Sequence, residues 1–426
     1  MRKFMQNNTQ YQADVLERFI PISLDRLISD LLTSDLLPLE QHLEFKQFCS
    51  TYTSLFHAQS HAYLQDLKQL YLPFNPDRDT LINPQENSGK KLAYLKDKLY
   101  AILEDANYER ISEDDLNEAL NKISPYGVQV SVDFDDFAEV ALFYRGSAIQ
   151  QKLYRNWKKL SFKKQPIDIL IYKRLFVFLQ PKNRQQWVEY FINNKKMSAQ
   201  KAEKEADKAL KKFAINNDND VVYLKLFKDI PRADLEMQFP NTRIKMRLFD
   251  KIKLAVTGGG GTAGGVMATI GKLSATIDPV SALIAIGGLL GLLWRQISKI
   301  FSQRAKYSAT LTKNLYFYSL DNNMGALTYL VDTAEAEECK EAILAYFFLL
   351  IKGETSRASL DQCIENYIYE KYEIPMDFEI DDGLDKLQKS SLLSRFDQLI
   401  KTIPLAEANS RLRQQWDQII DSKEIV

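Results

Sequence analysis

Histidine and cysteine are scarce: three of each in 426 residues. Cys49, Cys339 and Cys363 lie far apart and form no C-x-x-C, so neither a disulfide framework nor a zinc module is expected. Reduced thiols in a reducing compartment are. Net charge is missing as well, because 56 Lys plus Arg balance 56 Asp plus Glu. Without a global positive field, no nucleic-acid partner is expected. The opening residues, MRKFMQNNTQYQADVLERF, hold no apolar run of the secretory type, nor the acid-free, Arg/Ser-rich pattern of a transit peptide. No G-x-S-x-G and no Cys/His pairing stands out. No catalytic residue, cofactor or metal is assigned, and the reading leans away from an enzyme.

What is present suits a folded protein. Hydrophobic residues make up 45% and charged residues 26%, and the length allows two to four domains. Residues 1–122 read as an N-terminal helical region. Val15, Phe19, Ile22, Leu24, Leu27 and Leu31 recur at three and four spacing. Ser112 with Asp115 three residues on is a helix-cap pattern. From Pro125 the period changes, and Val128, Val130, Val132 and Phe134 alternate with polar residues. "AEVALFYRG", "IDILIYKRLFVFLQP" and "VVYLKLFKDIP" add β-rich runs that stop at glycine or proline. Residues 123–250 are therefore expected to form a small mixed α/β domain. A lysine-rich helix with few apolar positions interrupts it and is read as a solvated insertion. Beyond the glycine region, residues 298–426 read as a C-terminal helical domain. Its long helix starts near Asp321 and ends at Gly353. From about 354, helices with a short strand-like segment suggest a winged-helix-like unit. The expected class is α+β and mostly helical.

The stretch "VTGGGGTAGGVMATIGKLS" decides the remaining element. A P-loop requires G-x-x-x-x-G-K-[ST] after a strand. Here Gly271-Lys272 is followed by Leu273, and the preceding glycine is one position out of register. A flexible linker would be polar, whereas this run continues into "VMATIG". Leu254–Gly271 and Pro279–Trp294 are both free of charge, about 27 and 24 Å long as helices. That is close to a hydrocarbon core of about 30 Å. Gly260, Gly261, Gly264 and Gly265 on the first stretch, and Gly287 and Gly291 on the second, form G-x-x-x-G faces suited to close helix packing. A Gly-rich two-helix transmembrane hairpin over 251–297 is the expectation. A buried soluble hairpin is the alternative.

Charge agrees with the hairpin. Arg243, Lys245, Arg247, Lys251 and Lys253 precede it, and Arg295, Lys299, Arg304 and Lys306 follow it. By the positive-inside rule both termini would face the cytoplasm or the matrix, from a bacterial or mitochondrial inner membrane. The same residues could meet anionic headgroups of the bilayer.

"LFKDIPRADLEMQFPNTRIKMRLFDKIKLAVTGGGGTAGG", "YFYSLDNNMGALTYLVDTAEAEECKEAILAYFFLL", "EDANYERISEDDLNEAL" and "VDFDDFAEVALFYRG" together resemble the family of uncharacterised proteins that includes transmembrane protein 143. The resemblance implies membrane association without a known activity, and it supplies no site residues. The leading functional expectation is a non-enzymatic scaffold or adaptor with cytoplasmic domains and an unknown protein partner. Two alternatives are an enzyme acting on a membrane-resident substrate through the mixed-sheet domain, and an oligomeric transporter or pore. Homo-oligomerisation is compatible with the glycine faces.

Three smaller constellations favour plain readings. His57 and His61 sit one helical turn apart but have no third ligand. Asp332, Glu335 and Glu338 of "DTAEAEEC" read as a solvated acidic face, since di-metal bundles need a Glu-x-x-His partner. Asp133, Asp135 and Asp136 read as turn carboxylates. The segment placed as a recognition helix, Ile380–Leu392, begins with Asp381, Asp382 and Asp385, the wrong sign for a phosphate backbone. The C-terminal unit is therefore read as a protein-interaction module.

Overall fold

The computed structural model describes residues 16–81, 89–112, 114–116, 129–155, 164–212, 220–232, 235, 239, 243–245 and 317–423. Three helices come first: α1 (Leu24–Leu32), α2 (His42–Tyr71) and α3 (Gly89–Asp105). Strands β1 (Glu109–Arg110), β2 (Gln129–Ser131), β3 (Phe137–Arg155) and β4 (Lys164–Pro181) follow. Helices α4 (Arg184–Asn193) and α5 (Ala199–Lys212) then precede β5 (Tyr223–Pro231), β6 (Arg243–Lys245) and β7 (Ser319–Asn322). The C-terminal part holds α6 (Asn323–Lys352), α7 (Arg357–Tyr372), α8 (Ile380–Lys389), β8 (Leu393–Phe396), β9 (Ile400–Thr402) and α9 (Leu405–Lys423).

The main sheet has five strands in the order β1-β3-β4-β5-β7. Every pairing in it is antiparallel, so the mixed sheet expected from the sequence is corrected to an antiparallel one. Alternation along β3, β4 and β5 divides two cores, as the period of two requires. One face carries Phe143, Phe176, Phe178, Leu224 and Leu226 against α2, α3 and the first half of α6. The other carries Leu142, Leu175, Val177 and Leu179 against Trp187 of α4 and Ala206 of α5. The lysine-rich insertion is thus not wholly solvated: Ala202, Ala206 and Leu210 of α5 are buried at i, i+4 and i+8.

A third core joins α1, the first half of α2, the second half of α6 and the C-terminal helices. Helix α6, about 45 Å long by its rise per residue, therefore serves two cores. Ala326, Leu327, Leu330 and Val331 belong to the sheet core. Cys339 and Ala342–Leu349 belong to the helical one. Gly353 caps α6 at φ +77°, a left-handed conformation that glycine adopts without strain. After it, Thr355 bridges Ile400, so helix, bridge, helix, helix and the β8–β9 hairpin succeed one another.

The second correction concerns the Gly-rich transmembrane hairpin. Among the described residues, no helix is long and apolar enough to cross a membrane. The longest apolar one, α6, is interrupted midway by Glu337, Glu338, Lys340 and Glu341. A spanning element is accordingly removed from the fold class, and the inner-membrane address inferred from it has no support among the described helices. The expected span 251–297, with Gly260, Gly261, Gly264, Gly265, Gly287 and Gly291, lies outside the described residues. So do Arg247, Lys251, Lys253, Arg295, Lys299, Arg304 and Lys306. Arg243 and Lys245 lie on β6, which pairs antiparallel with β2.

Candidate functional site: the charged seam and the C-terminal face

The stretch read as a solvated acidic face divides: Asp332 is exposed and Glu335 half-buried, whereas Glu338 is buried with its neighbours. Glu337, Glu338, Lys340 and Glu341 are all buried, at 3%, 6%, 4% and 1% exposure. They sit where the sheet core ends and the helical core begins. The chain from Leu16 to Ile22 runs across this seam as a strap. The Ile20 amide donates to Glu337 Oε2 at 3.0 Å, and Lys340 Nζ donates to the Ile20 carbonyl at 2.6 Å. Lys340 also donates to Glu337 Oε1 at 2.6 Å, and Arg145 Nη1 lies 3.5 Å from the same oxygen. Asn107, in the left-handed region at φ +57°, donates to Glu341 Oε1 at 2.9 Å and to the Arg18 carbonyl at 3.3 Å. Burial lowers the Lys340 ammonium, against the pull of Glu337. It also raises the Glu341 carboxyl well above the usual range, although the Asn107 hydrogen bond opposes the shift.

Further contacts hold the strap at both ends. Glu17 pairs with Lys173 of β4, and its carbonyl accepts from the Asp377 amide at 3.0 Å. Phe19 lies under the Arg145 guanidinium, 4.7 Å from ring centre to Cζ. Gly146 makes room for it. A Cβ there would meet Phe19 at 2.7 Å and Glu17 Oε2 at 2.9 Å, and φ is +69°.

On the C-terminal unit, α8 packs closely on α6. A Cβ on Gly383 would lie 2.9 Å from the Glu341 carbonyl oxygen. Lys386 of α8 is tied to Glu338. Acidic residues gather where α7 and α8 meet, although Lys371 and Lys389 are also exposed on these helices. Asp361 is pushed up to about 6, first by burial and then by Glu365, Asp377, Asp381 and Glu379. Asp382 reaches about 6 for the same kind of reason. The cations beside them are Arg18, 3.9 Å from Asp377 and 3.6 Å from Glu379, and Arg357, paired with Asp381. A groove of roughly 300 Å³ opens nearby, lined by Leu36, Phe348, Lys352, Cys363 and Tyr367 among others.

The smaller candidates separate. His57 Nδ1 meets Glu335 at 2.9 Å, and the His57 and His61 rings stand 6.5 Å apart. Among the described residues no group of three or more His, Cys, Asp or Glu could hold a metal ion. Asp135 accepts from the Tyr190 hydroxyl at 2.7 Å and its backbone carbonyl accepts from Lys182. Ser112 Oγ accepts from the Asp115 amide at 3.1 Å, as a cap should. Sequence reasoning missed Arg145, Asn107 and the strap, because no periodicity links residues so far apart in the chain.

These features define an α/β protein whose sheet and C-terminal helices share one long helix and one N-terminal strap. Residues 137–325, from the start of β3 into the first turn of α6, match a family described as a protein of unknown function (DUF3754). That match supplies no link to transmembrane protein 143 or to membranes, so the resemblance narrows to similarity with a family of unknown function. No solved structure matches the chain.

Proposed function

We propose that this protein is a non-enzymatic adaptor whose C-terminal winged-helix-like unit, from about 354, receives a basic segment of a protein partner. One observation carries the reading. Asp361, Glu365, Asp377, Asp381 and Asp382 gather around α7 and α8, where burial first and neighbouring carboxylates second push Asp361 and Asp382 up to about 6. Like charges held this close lower their mutual cost when a cationic segment lies against them. Asp361 Oδ1 is buried and has no hydrogen-bond partner among the described residues.

A nucleic-acid role is disfavoured on the same face. Helix α8 presents Asp381, Asp382 and Asp385, and its Lys386 is engaged with Glu338. A phosphate backbone would meet repulsion there.

The test is fluorescence anisotropy of a labelled polylysine peptide, with polyglutamate as control, titrated with the full chain. Salt is varied between about 0.1 M, where the Debye length is ~10 Å, and 1 M, where it is ~3 Å. Salt-sensitive binding of the basic peptide that weakens in Asp361→Asn/Asp381→Asn is expected. Equal binding by parent and variant, or none at the lower salt, removes the reading.

A further inference from the structure

Beside the seam, on the face of the sheet that α6 covers, three cations stand in one row. The register places Arg145 of β3 directly opposite Arg174 of β4, and Arg174 directly opposite Lys228 of β5. Like charges directly across an antiparallel pair destabilise it. Among the described residues one carboxylate, Glu337, reaches the row; it touches Arg145 and is already shared with Lys340. Among the described contacts, Arg174 donates through Nε to the Tyr329 hydroxyl at 3.3 Å and through Nη1 to the Lys173 carbonyl at 2.8 Å, and neither acceptor is charged.

Two polar atoms beside this row are buried donors without an acceptor among the described residues. The Tyr108 hydroxyl is buried, its residue 4% exposed, and has no hydrogen-bond partner among the described residues. Arg145 Nε is likewise buried without a partner, on a side chain 10% exposed. Tyr329 accepts from Arg174, which leaves its own proton free to donate. Tyr108 stands beside the row: its ring is 5.6 Å from Arg145 Cζ, and the charges of Arg145 and Arg174 oppose the rise that burial gives its hydroxyl. Arginine has no acceptor, and these two phenols offer their hydrogens. Unmet buried donors are costly, at about 1–3 kcal/mol each. A water molecule brings two hydrogens that would find few acceptors here. An oxyanion brings acceptors only, together with the missing negative charge.

We propose that Arg145, Arg174, Tyr108 and Tyr329, with Lys228 at the rim, form a binding site for a tetrahedral oxyanion of the phosphate class, free or carried as a phosphomonoester. Arg145 and Tyr108 are its buried members, and Phe19 of the strap lies against the Arg145 guanidinium. Arg174, Tyr329 and Lys228 are half-buried, so solvent reaches them. Two arginines suit a phosphoryl group because each guanidinium presents paired N–H bonds in a plane.

The experiment is calorimetric titration of the full chain with inorganic phosphate, glycerol phosphate, acetate and chloride at matched ionic strength. Thermal unfolding is followed in parallel. Saturable, phosphate-selective heat and a rise in Tm are expected. Preference for the ester over the free ion would identify an organic phosphate as ligand. Arg174→Gln should abolish binding, and Tyr329→Phe should weaken it roughly tenfold, the loss of one charge-assisted hydrogen bond. Lys228→Gln, at the rim, tests the row should Arg174→Gln unfold, and it should weaken binding several-fold. Arg411→Gln, which removes a remote cation, should bind as the parent does. Equal responses to phosphate and chloride would overturn the site. So would phosphate binding that survives both Arg174→Gln and Lys228→Gln.

Discussion

Replacing Glu337 by leucine tests the seam most directly. The carboxylate is 3% exposed and holds the Ile20 amide, Lys340 and Arg145 at once. Its removal leaves the buried Lys340 ammonium with the Ile20 carbonyl as its remaining close acceptor. It also leaves the strap's Ile20 amide without an acceptor. Breaking a buried ion pair from one side typically costs about 3–5 kcal/mol, against a total stability of about 5–15 kcal/mol. Glu337→Leu should therefore shift the denaturant midpoint strongly. Lys340→Met alone should cost a similar amount for the mirror-image reason. The double variant removes both of these charges, so the residual cost should fall to about 1–3 kcal/mol, that of the orphaned strap groups and of Arg145, which loses Glu337. A double-mutant cycle by chemical denaturation reads the coupling, and amide exchange at Ile20 reads the strap. If Glu337→Leu costs under about 1 kcal/mol, or if the double equals the sum of the singles, the pair is not what binds the strap.

Three further outcomes are expected. Gly146→Ala combines a left-handed φ with contacts below 3.0 Å to Phe19 and Glu17, so it should destabilise by about 1–3 kcal/mol; Phe19→Ala in the same background should relieve part of that loss in thermal unfolding, and no relief would separate Gly146 from the strap. Gly383→Ala places a Cβ 2.9 Å from the Glu341 carbonyl oxygen and should cost about 1–3 kcal/mol by forcing α8 from α6, which an unchanged midpoint would contradict. Asp361 and Asp382 rise from 3.8 unfolded to about 6 folded, so the folded chain binds their protons more tightly and these sites lose stability as pH climbs through that window. Asp361→Asn/Asp382→Asn should then be more stable than the parent at neutral pH and converge with it in mild acid; a pH-independent difference would refute the crowding.

The ends of α6 were legible in the sequence and its middle was not. Asparagines before an apolar period and a glycine after it mark a helix locally, and the helix runs from Asn323 to Gly353. Glu338 read as solvent-facing, and Glu337, Lys340 and Glu341 went unnoticed, because their partners, among them Lys386, Ile20, Asn107 and Arg145, are supplied by distant segments. Gly146 read as the end of a strand, yet β3 continues to Arg155. What the glycine provides is space for Phe19. Helix α5 read as a solvated insertion with few apolar positions because alanine is easily overlooked as a core residue, although Ala202 and Ala206 are fully buried. The sheet was expected from its alternating runs, but its antiparallel order depends on pairings between strands that no single run encodes.

The seam also explains why one helix can serve two cores without sliding between them. Apolar contacts alone would tolerate a shift of α6 by one turn, because Leu, Ala and Phe recur along both of its halves. At the sheet end Asn323 blocks such a shift: it accepts from the Leu224 amide at 3.1 Å, lies 3.0 Å from the Tyr71 hydroxyl and donates to Asp77. At the other end the Tyr346 hydroxyl donates to the Ile403 carbonyl at 2.9 Å. Between them, Glu337 and Lys340 meet the two sides of one residue, Ile20. A one-turn displacement, about 5.4 Å, would orphan all of these polar groups together. The buried charges add little net stability compared with apolar residues of similar size; what they fix is register. The predicted consequence is that Glu337→Leu/Lys340→Met, though folded, loses definition at the seam. Exchange at the Ile20 amide should quicken more than global stability accounts for, while the amides of Leu224 and Ile403 keep their protection. Uniform acceleration at all three would show that the ion pair stabilises the whole protein and has no particular role in setting the register of α6.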